Sequence, residues 1–257
     1  MNPEKLRSLF DMTGRVVIIT GGTRGIGRAL AEGYTSAGAR VVVASRKAEA
    51  CRETEEHLRA MGGQAIAVPA HMARLEDLAE VVRRTVEEFG GVDVVVNNAA
   101  TALTQTVGAY TEDAWQKSLD VNLKGPVFLV QEALPHLVAS RHAAVLNILS
   151  GAAFMYSAGV SMYAVGKAGL LAHTRSAAAE YAQYGIRVNA LAPGTVDTDM
   201  VRANSEEKVQ NMAEIMFLKR MADPDEMVGP ALLLTSDAGS FITGQVLIAD
   251  GGMVVAR

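Results

Sequence analysis

Arg15-Val-Val-Ile-Ile-Thr20, Gly21-Gly22-Thr23-Arg24-Gly25-Ile26-Gly27 and Arg28-Ala-Leu-Ala-Glu-Gly-Tyr-Thr-Ser-Ala37 follow one another without a break near the N-terminus. The first is short, apolar and rich in β-branched residues, as expected of a strand buried on both faces of a parallel sheet. The last reads as a helix. Between them, glycines let the backbone approach a ligand, and the N–H groups and dipole of the helix start attract negative charge. A strand, a glycine turn and a helix N-terminus in that order can cradle a pyrophosphate. The spacing is Gly-x-x-x-Gly-x-Gly, whereas the common dinucleotide fingerprint is Gly-x-Gly-x-x-Gly. An ordinary tight strand–helix turn is the alternative reading.

Outward from that unit, strand and helix keep alternating. Strands are expected at 41–44, 65–68, 92–96, 144–149, 186–191 and 246–249, with helices at 49–61, 75–89, 112–121, 124–139, 161–183 and 225–235. Gly62-Gly63 and Gly90-Gly91 stand where two of these helices should stop. Repeated βα units imply an α/β fold: one doubly wound parallel sheet of about seven strands with helices on both faces. No repeat, linker or low-complexity stretch interrupts it, so residues 1–257 read as one domain.

Chemistry enters at Tyr163-Ala-Val-Gly-Lys167, with Ser150 thirteen residues upstream and Asn122 earlier still. Residues four apart on a helix share a face, so the phenol and the ammonium can meet. A phenol titrates near 10 and is a poor acid–base group at neutral pH. An ammonium about 4 Å away favours the phenolate by roughly 4 kcal/mol at an effective dielectric of 20, or about three pKa units before desolvation. The pair therefore suits general acid–base work, and the phenol pKa is expected to be lowered.

The glycine spacing, Asn97-Asn98-Ala99, Asn122, Ser150, Tyr163, Lys167 and Pro193-Gly194, in that order, closely resemble the classical short-chain dehydrogenase/reductase family from about Gly14 to Gly252. The resemblance implies a Rossmann fold and NAD(P)-dependent hydride transfer between a ketone and a secondary alcohol. It assigns Ser150 to the substrate oxygen, Tyr163 to acid–base transfer, Lys167 to the tyrosine and the nicotinamide ribose, and Asn122 to a water beside Lys167. Cofactor contacts are expected at Gly21, Thr23, Arg24, Gly25, Ile26, Gly27, Ser45, Arg46, His71, Met72, Asn98, Ala99, Tyr163, Lys167, Pro193, Gly194, Val196 and Thr198; no metal ligand is expected. Two positions depart from the family pattern. His71 replaces the acidic residue that usually fixes the adenine amine, and Ala100 stands at a glycine-like position.

The residue ending the second strand meets the adenosine ribose in this fold, and a carboxylate there would repel a 2′-phosphate. Here Ser45-Arg46-Lys47 occupies the place and Arg24 lies in the glycine loop, two guanidiniums able to receive one phosphate. NADP(H) is therefore expected over NAD(H). Alternatively, Arg46 and Lys47 are a solvated helix start.

Substrate-pocket candidates are Ala152, Tyr156 and Met200, the last within a lid at about 195–220 that also carries Met212, Met216, Phe217 and Leu218. Thr101 to Leu103 after the fourth strand is a further candidate segment, and sparse charge there and at Ala152 to Tyr156 points to a neutral, lipophilic carbonyl compound. Reduction of a 3-oxoacyl group on acyl carrier protein or CoA is the narrower alternative. It needs a basic docking patch, of which Arg141 is present while Tyr184 replaces the second member. A non-catalytic dinucleotide sensor or scaffold is the alternative from another class, against which the retained Tyr163 and Lys167 speak.

Bulk properties fit a small-molecule enzyme. A net charge of −4 gives no reason to expect nucleic acid or a membrane as partner. Cys51 is the only cysteine, no apolar run approaches a membrane span, and no leader is evident. A cytoplasmic protein is expected, and family resemblance implies a homotetramer.

Overall fold

The computed structural model describes residues 1–156 and 158–254. In chain order the elements are α1 (Pro3–Ser8), β1 (Val16–Thr20), α2 (Gly25–Ser36), β2 (Arg40–Ser45), α3 (Ala48–Ala60), β3 (Gln64–Pro69), α4 (Leu75–Phe89), β4 (Val94–Asn97), α5 (Glu112–Leu119), α6 (Gly125–Ala139), β5 (Ala144–Ile148), α7 (Ser161–Tyr181), β6 (Arg187–Pro193), α8 (Asp199–Arg202), α9 (Glu206–Glu214), α10 (Val228–Thr235) and β7 (Val246–Ala249). All seven strands join one parallel sheet, ordered β3-β2-β1-β4-β5-β6-β7.

Side chains along the central strands alternate between two cores, as the pleat requires. Ile18, Val42, Val95, Val145 and Val188 face one layer with Leu78 and Val82 of α4, Leu129 and Leu137 of α6, and Ala177 of α7. Val17, Ile19, Val43, Val94, Val96 and Leu146 face the other with Leu30 and Tyr34 of α2, Leu58 of α3 and Leu234 of α10. Covered faces explain why the strands read as unbroken apolar runs.

Helix stops follow local chemistry. α4 buries Leu78, Val81, Val82 and Thr85 at helical spacing and ends at Gly90 in the left-handed region, φ 84°, whose N–H returns to the Val86 carbonyl. Between α5 and α6 lies a π-helical turn, Asp120–Lys124, that places the side chain of Asn122 wholly inside. Sequence periodicity gives no sign of it, nor of α1, a short helix capped by Asn2 with no buried residue. Among the described residues, no helix is long and apolar enough to cross a membrane.

Chain direction reverses its winding between β1 and β4, and the crevice outside the carboxyl ends of these strands is where this architecture receives ligands. Beyond β6 the chain leaves the body at Val196 and returns at Ala222, the two joined by a parallel bridge. The excursion between them carries α8 and α9.

Candidate active site

The glycine turn is held by the end of β4. Asn98 Nδ2 donates to the carbonyls of Thr20 (2.8 Å) and Gly21 (3.2 Å), while Thr20 Oγ1 accepts from the N–H groups of Asn98 and Ala99, both at 3.0 Å. Gly21 has φ 66°, and a Cβ on it would lie 3.0 Å from Ala99 Cα. A side chain would be strained there and would push β4 away. The amide of Asn98 thus shapes the cradle. At the start of α2, the N-cap residue Arg24 makes no side-chain capping bond. First-turn N–H groups without a capping side chain, beside a turn that only glycine fits, match what a dinucleotide pyrophosphate needs.

Around the cradle stand the other expected cofactor residues. Thr23 Oγ1 and Ser45 Oγ lie 3.0 Å apart, closing the gap between the turn and β2. Arg46 is exposed. Arg24 lies 3.8 Å from Asp199 at the start of α8, both side chains largely solvated, so Arg24 and Arg46 are not drawn together by any contact in the protein itself. His71 Nδ1 accepts from Ala73 N–H at 3.1 Å, and the His71 N–H donates to Asp77 (2.7 Å). Its ring therefore shapes the loop after β3, with Met72 buried behind it. Gly194 follows Pro193 and packs on Asp250, while Thr198 approaches the first residue of α2, Gly25, with its methyl group. Val196 is buried at the base of the excursion.

Ser150, Tyr163, Lys167 and Asn122 converge beside this cradle. Ser150 lies two residues past β5 and accepts from Ala152 N–H at 3.2 Å, starting a 3₁₀ turn over Gly151–Ala153. Its hydroxyl is the neighbour that favours the phenolate form of Tyr163. Lys167 is 2% exposed, donates from Nζ to the Ile148 carbonyl at 2.6 Å, and lies 5.6 Å from the Tyr163 ring centre. The side chain of Asn122 is fully committed: Nδ2 donates to Thr101 O (2.8 Å) and Ser118 Oγ (3.2 Å), and Oδ1 accepts from Thr101 N–H (3.0 Å). Gly166 makes the convergence possible, because a Cβ there would sit 2.8 Å from Asn122 Cβ. The glycine between Tyr163 and Lys167 lets α7 lie against the π-helical turn.

Titration of the pair departs from the sequence expectation. Burial pushes the Tyr163 phenol upward, and the neighbouring Ser150 hydroxyl offsets only part of that. Burial also pulls Lys167 down to about 8. The lowered phenol pKa is not found: the ammonium spends its bond on a backbone carbonyl, and both groups lose water.

Of the pocket candidates, Ala152 is partly buried, Tyr156 is 90% exposed and Met200 is 46% exposed. Met216, by contrast, packs inward at 2%. Phe154, Ile215, Phe217 and Leu218 add exposed apolar surface from the Ser150 turn and the excursion.

Behind Ser150 runs a buried chain absent from the motif reading. Asn97 Nδ2 donates to Asn147 Oδ1 (2.8 Å), whose Nδ2 donates to Thr174 Oγ1 (2.9 Å), tying β4, β5 and α7. The Asn at the end of each strand was visible in sequence, but the pairing needs the register Asn97↔Asn147.

A family model described as enoyl-(acyl carrier protein) reductase matches residues 21–254. A 3-oxoacyl-[acyl-carrier-protein] reductase of Staphylococcus epidermidis is 35% identical over 240 residues, covering 92% of this chain and 97% of the relative. Dehydrogenase/reductase SDR family member 4 of Homo sapiens is 34% identical over 244 residues, covering 94% and 88%. The crystal structure of a gluconate 5-dehydrogenase from Burkholderia cenocepacia in complex with NADP and tartrate matches with a TM-score of 0.93 at 30% identity, covering 98% of this chain and all of that one. Fold, motif order and relatives agree that this chain is an NAD(P)-dependent oxidoreductase acting on CH–OH groups and belongs to the classical short-chain dehydrogenase/reductase family.

Proposed function

We propose that the protein interconverts a neutral, lipophilic ketone and its secondary alcohol with NADP(H) as the preferred cofactor. One observation carries the reading: a serine hydroxyl beside a partly buried tyrosine, with a buried lysine 5.6 Å from the ring centre, next to an uncapped helix N-terminus. The bound nicotinamide supplies hydride in reduction and accepts it in oxidation. Gly21, Thr23, Gly25, Ile26 and Gly27 hold its pyrophosphate, with Asn98 and Ala99 keeping the turn in shape and Pro193, Gly194, Val196 and Thr198 closing the far side. Ser150 donates to the substrate oxygen and fixes it against Tyr163. Tyr163, kept protonated by burial, gives its proton to the nascent alkoxide and takes one back in oxidation. Lys167 restores that proton. With its amide committed to Thr101 and Ser118, Asn122 holds the π-helical turn in place, and Gly166 of α7 packs on its Cβ beside Lys167.

Cofactor choice rests on the end of β2, where Ser45, Arg46 and Lys47 present no carboxylate to a 2′-phosphate. Apolar surface at Phe154, Phe217 and Leu218 supports an uncharged substrate. The 3-oxoacyl reading retains one argument of its own, the exposed Arg141, and lacks a second base at the partly exposed Tyr184.

A panel of ketones and alcohols with reduced and oxidised NADP and NAD, followed at the nicotinamide absorbance, tests the proposal. NADPH with neutral ketones should give the highest kcat/KM. Arg46→Ala should weaken NADPH by about 1.5–3 kcal/mol, the range for a hydrogen bond to a charged group, and leave NADH nearly unchanged. Equal weakening of both would make Arg46 structural and remove the NADP(H) preference.

A further inference from the structure

Past β7 the chain turns at Asp250 and runs back over the Ser150 turn. Asp250 is 7% exposed, and its carboxylate accepts from the N–H groups of Gly252 (2.8 Å) and Val254, while the Met253 N–H reaches the Asp250 carbonyl at 3.3 Å. One buried side chain thereby folds residues 250–254 into a single turn. That turn touches three parts of the site. Gly194 packs on it closely, since a Cβ there would lie 2.7 Å from Asp250 Cα. The end of the excursion docks on it: Leu218 N–H donates to the Gly251 carbonyl at 3.1 Å, and a Cβ at Gly252, φ 87°, would lie 2.6 Å from Phe217 Cδ2. Finally, the terminal methyl of Met253 fills the space where Gly151, the residue after Ser150, has no side chain.

Motif reading ends at Gly252 and gives Met253 no role. Met253 lies against the turn that carries Ser150, one residue past the glycine packed on Phe217 of the excursion, the place of a wall between the two. Methionine is apolar, unbranched and adaptable, so it can shape a pocket without imposing a charge. We infer that Met253 walls the substrate pocket and sets the size of the apolar substituent carried beside the reacting carbonyl, with Asp250 as the positioning residue that holds it. This rests on Ser150 receiving the substrate oxygen. A pocket wall discriminates about 10- to 200-fold per methylene, so the effect should be large enough to read directly.

The test is kcat/KM with NADPH for paired ketones that differ only in one apolar substituent, methyl against phenyl, in wild type, Met253→Ala, Met253→Phe and Met253→Leu. Met253→Ala should raise the bulky-to-small ratio at least 10-fold and Met253→Phe should lower it at least 10-fold. Met253→Leu should stay within threefold of wild type, and NADPH binding by fluorescence should change less than threefold in all. Ratios within threefold of wild type in both folded size variants would overturn the inference while leaving the carbonyl reductase reading intact. No turnover by wild type on any ketone would overturn that reading, and the inference with it. Should Met253→Ala fail to fold, Met253→Phe against Met253→Leu decides by the same ratio.

Discussion

Lys167 is a site residue whose chemistry the fold changes strongly. In solution its ammonium would be charged well above neutral pH, whereas here burial brings it to about 8. Tyr163 moves the other way, upward, so it holds its proton at neutral pH. Reduction consumes that proton and draws on Lys167 to replace it, so it needs both groups protonated. NADPH-driven reduction should therefore hold steady below pH 8 and fall as pH rises through it, while alcohol oxidation rises over the same interval. Opposite slopes in initial-rate profiles for the two directions would confirm the signs; parallel profiles would reject them. At this scale the sequence made the partners legible, because a four-residue spacing puts Tyr163 and Lys167 on one helical face. It could not show that Lys167 Nζ turns to the Ile148 carbonyl, or that Gly166 lies against Asn122, since both depend on elements far apart in the chain.

Among elements, the strands were legible because a sheet covered on both faces demands continuous apolar runs, and β7 at Val246–Ala249 matches its expected bounds. The π-helical turn was not legible, because its extra residue disturbs spacing within a single turn and is stabilised by the loop at Thr101. The excursion after β6 was foreseen as an apolar cover, and its helix α9 turns out to have no buried residue. Its base is pinned by the Val196–Ala222 bridge and by Asp197 N–H to Ala222 O at 2.9 Å, and its far end by Leu218 to Gly251. A helix exposed along its length between two fixed ends can open locally at low cost. Amide exchange should be fast across 199–214 without cofactor, slower with NADPH and slower again with a good substrate added. Equal protection in all three states would remove the excursion from the mechanism as a lid.

At the scale of the whole molecule, the sheet brings four separated segments to one crevice: the glycine turn after β1, Asn98 after β4, Ser150 after β5 and Pro193-Gly194 at β6. The alternation of βα units made a parallel sheet legible, but residues that meet only through side-chain packing, such as Met253 over Gly151, were not. Apolar side chains remain on the outside of the body: Val138 and Val165 on α6 and α7, Ile248 on the edge strand, and the fully exposed Phe241. Two-fold symmetry would let such patches cover their own copies, and light scattering should give a tetramer; a monomer at micromolar concentration would contradict that. In carbonyl reduction the proton is expected to pass through Tyr163. Steady-state turnover of Tyr163→Phe, measured with a ketone that the wild type reduces, tests it most directly. A loss of at least about 10²-fold in kcat is expected with NADPH affinity little changed, whereas turnover within a factor of about three of wild type would rule Tyr163 out as the acid, since a general acid of this kind contributes far more than that.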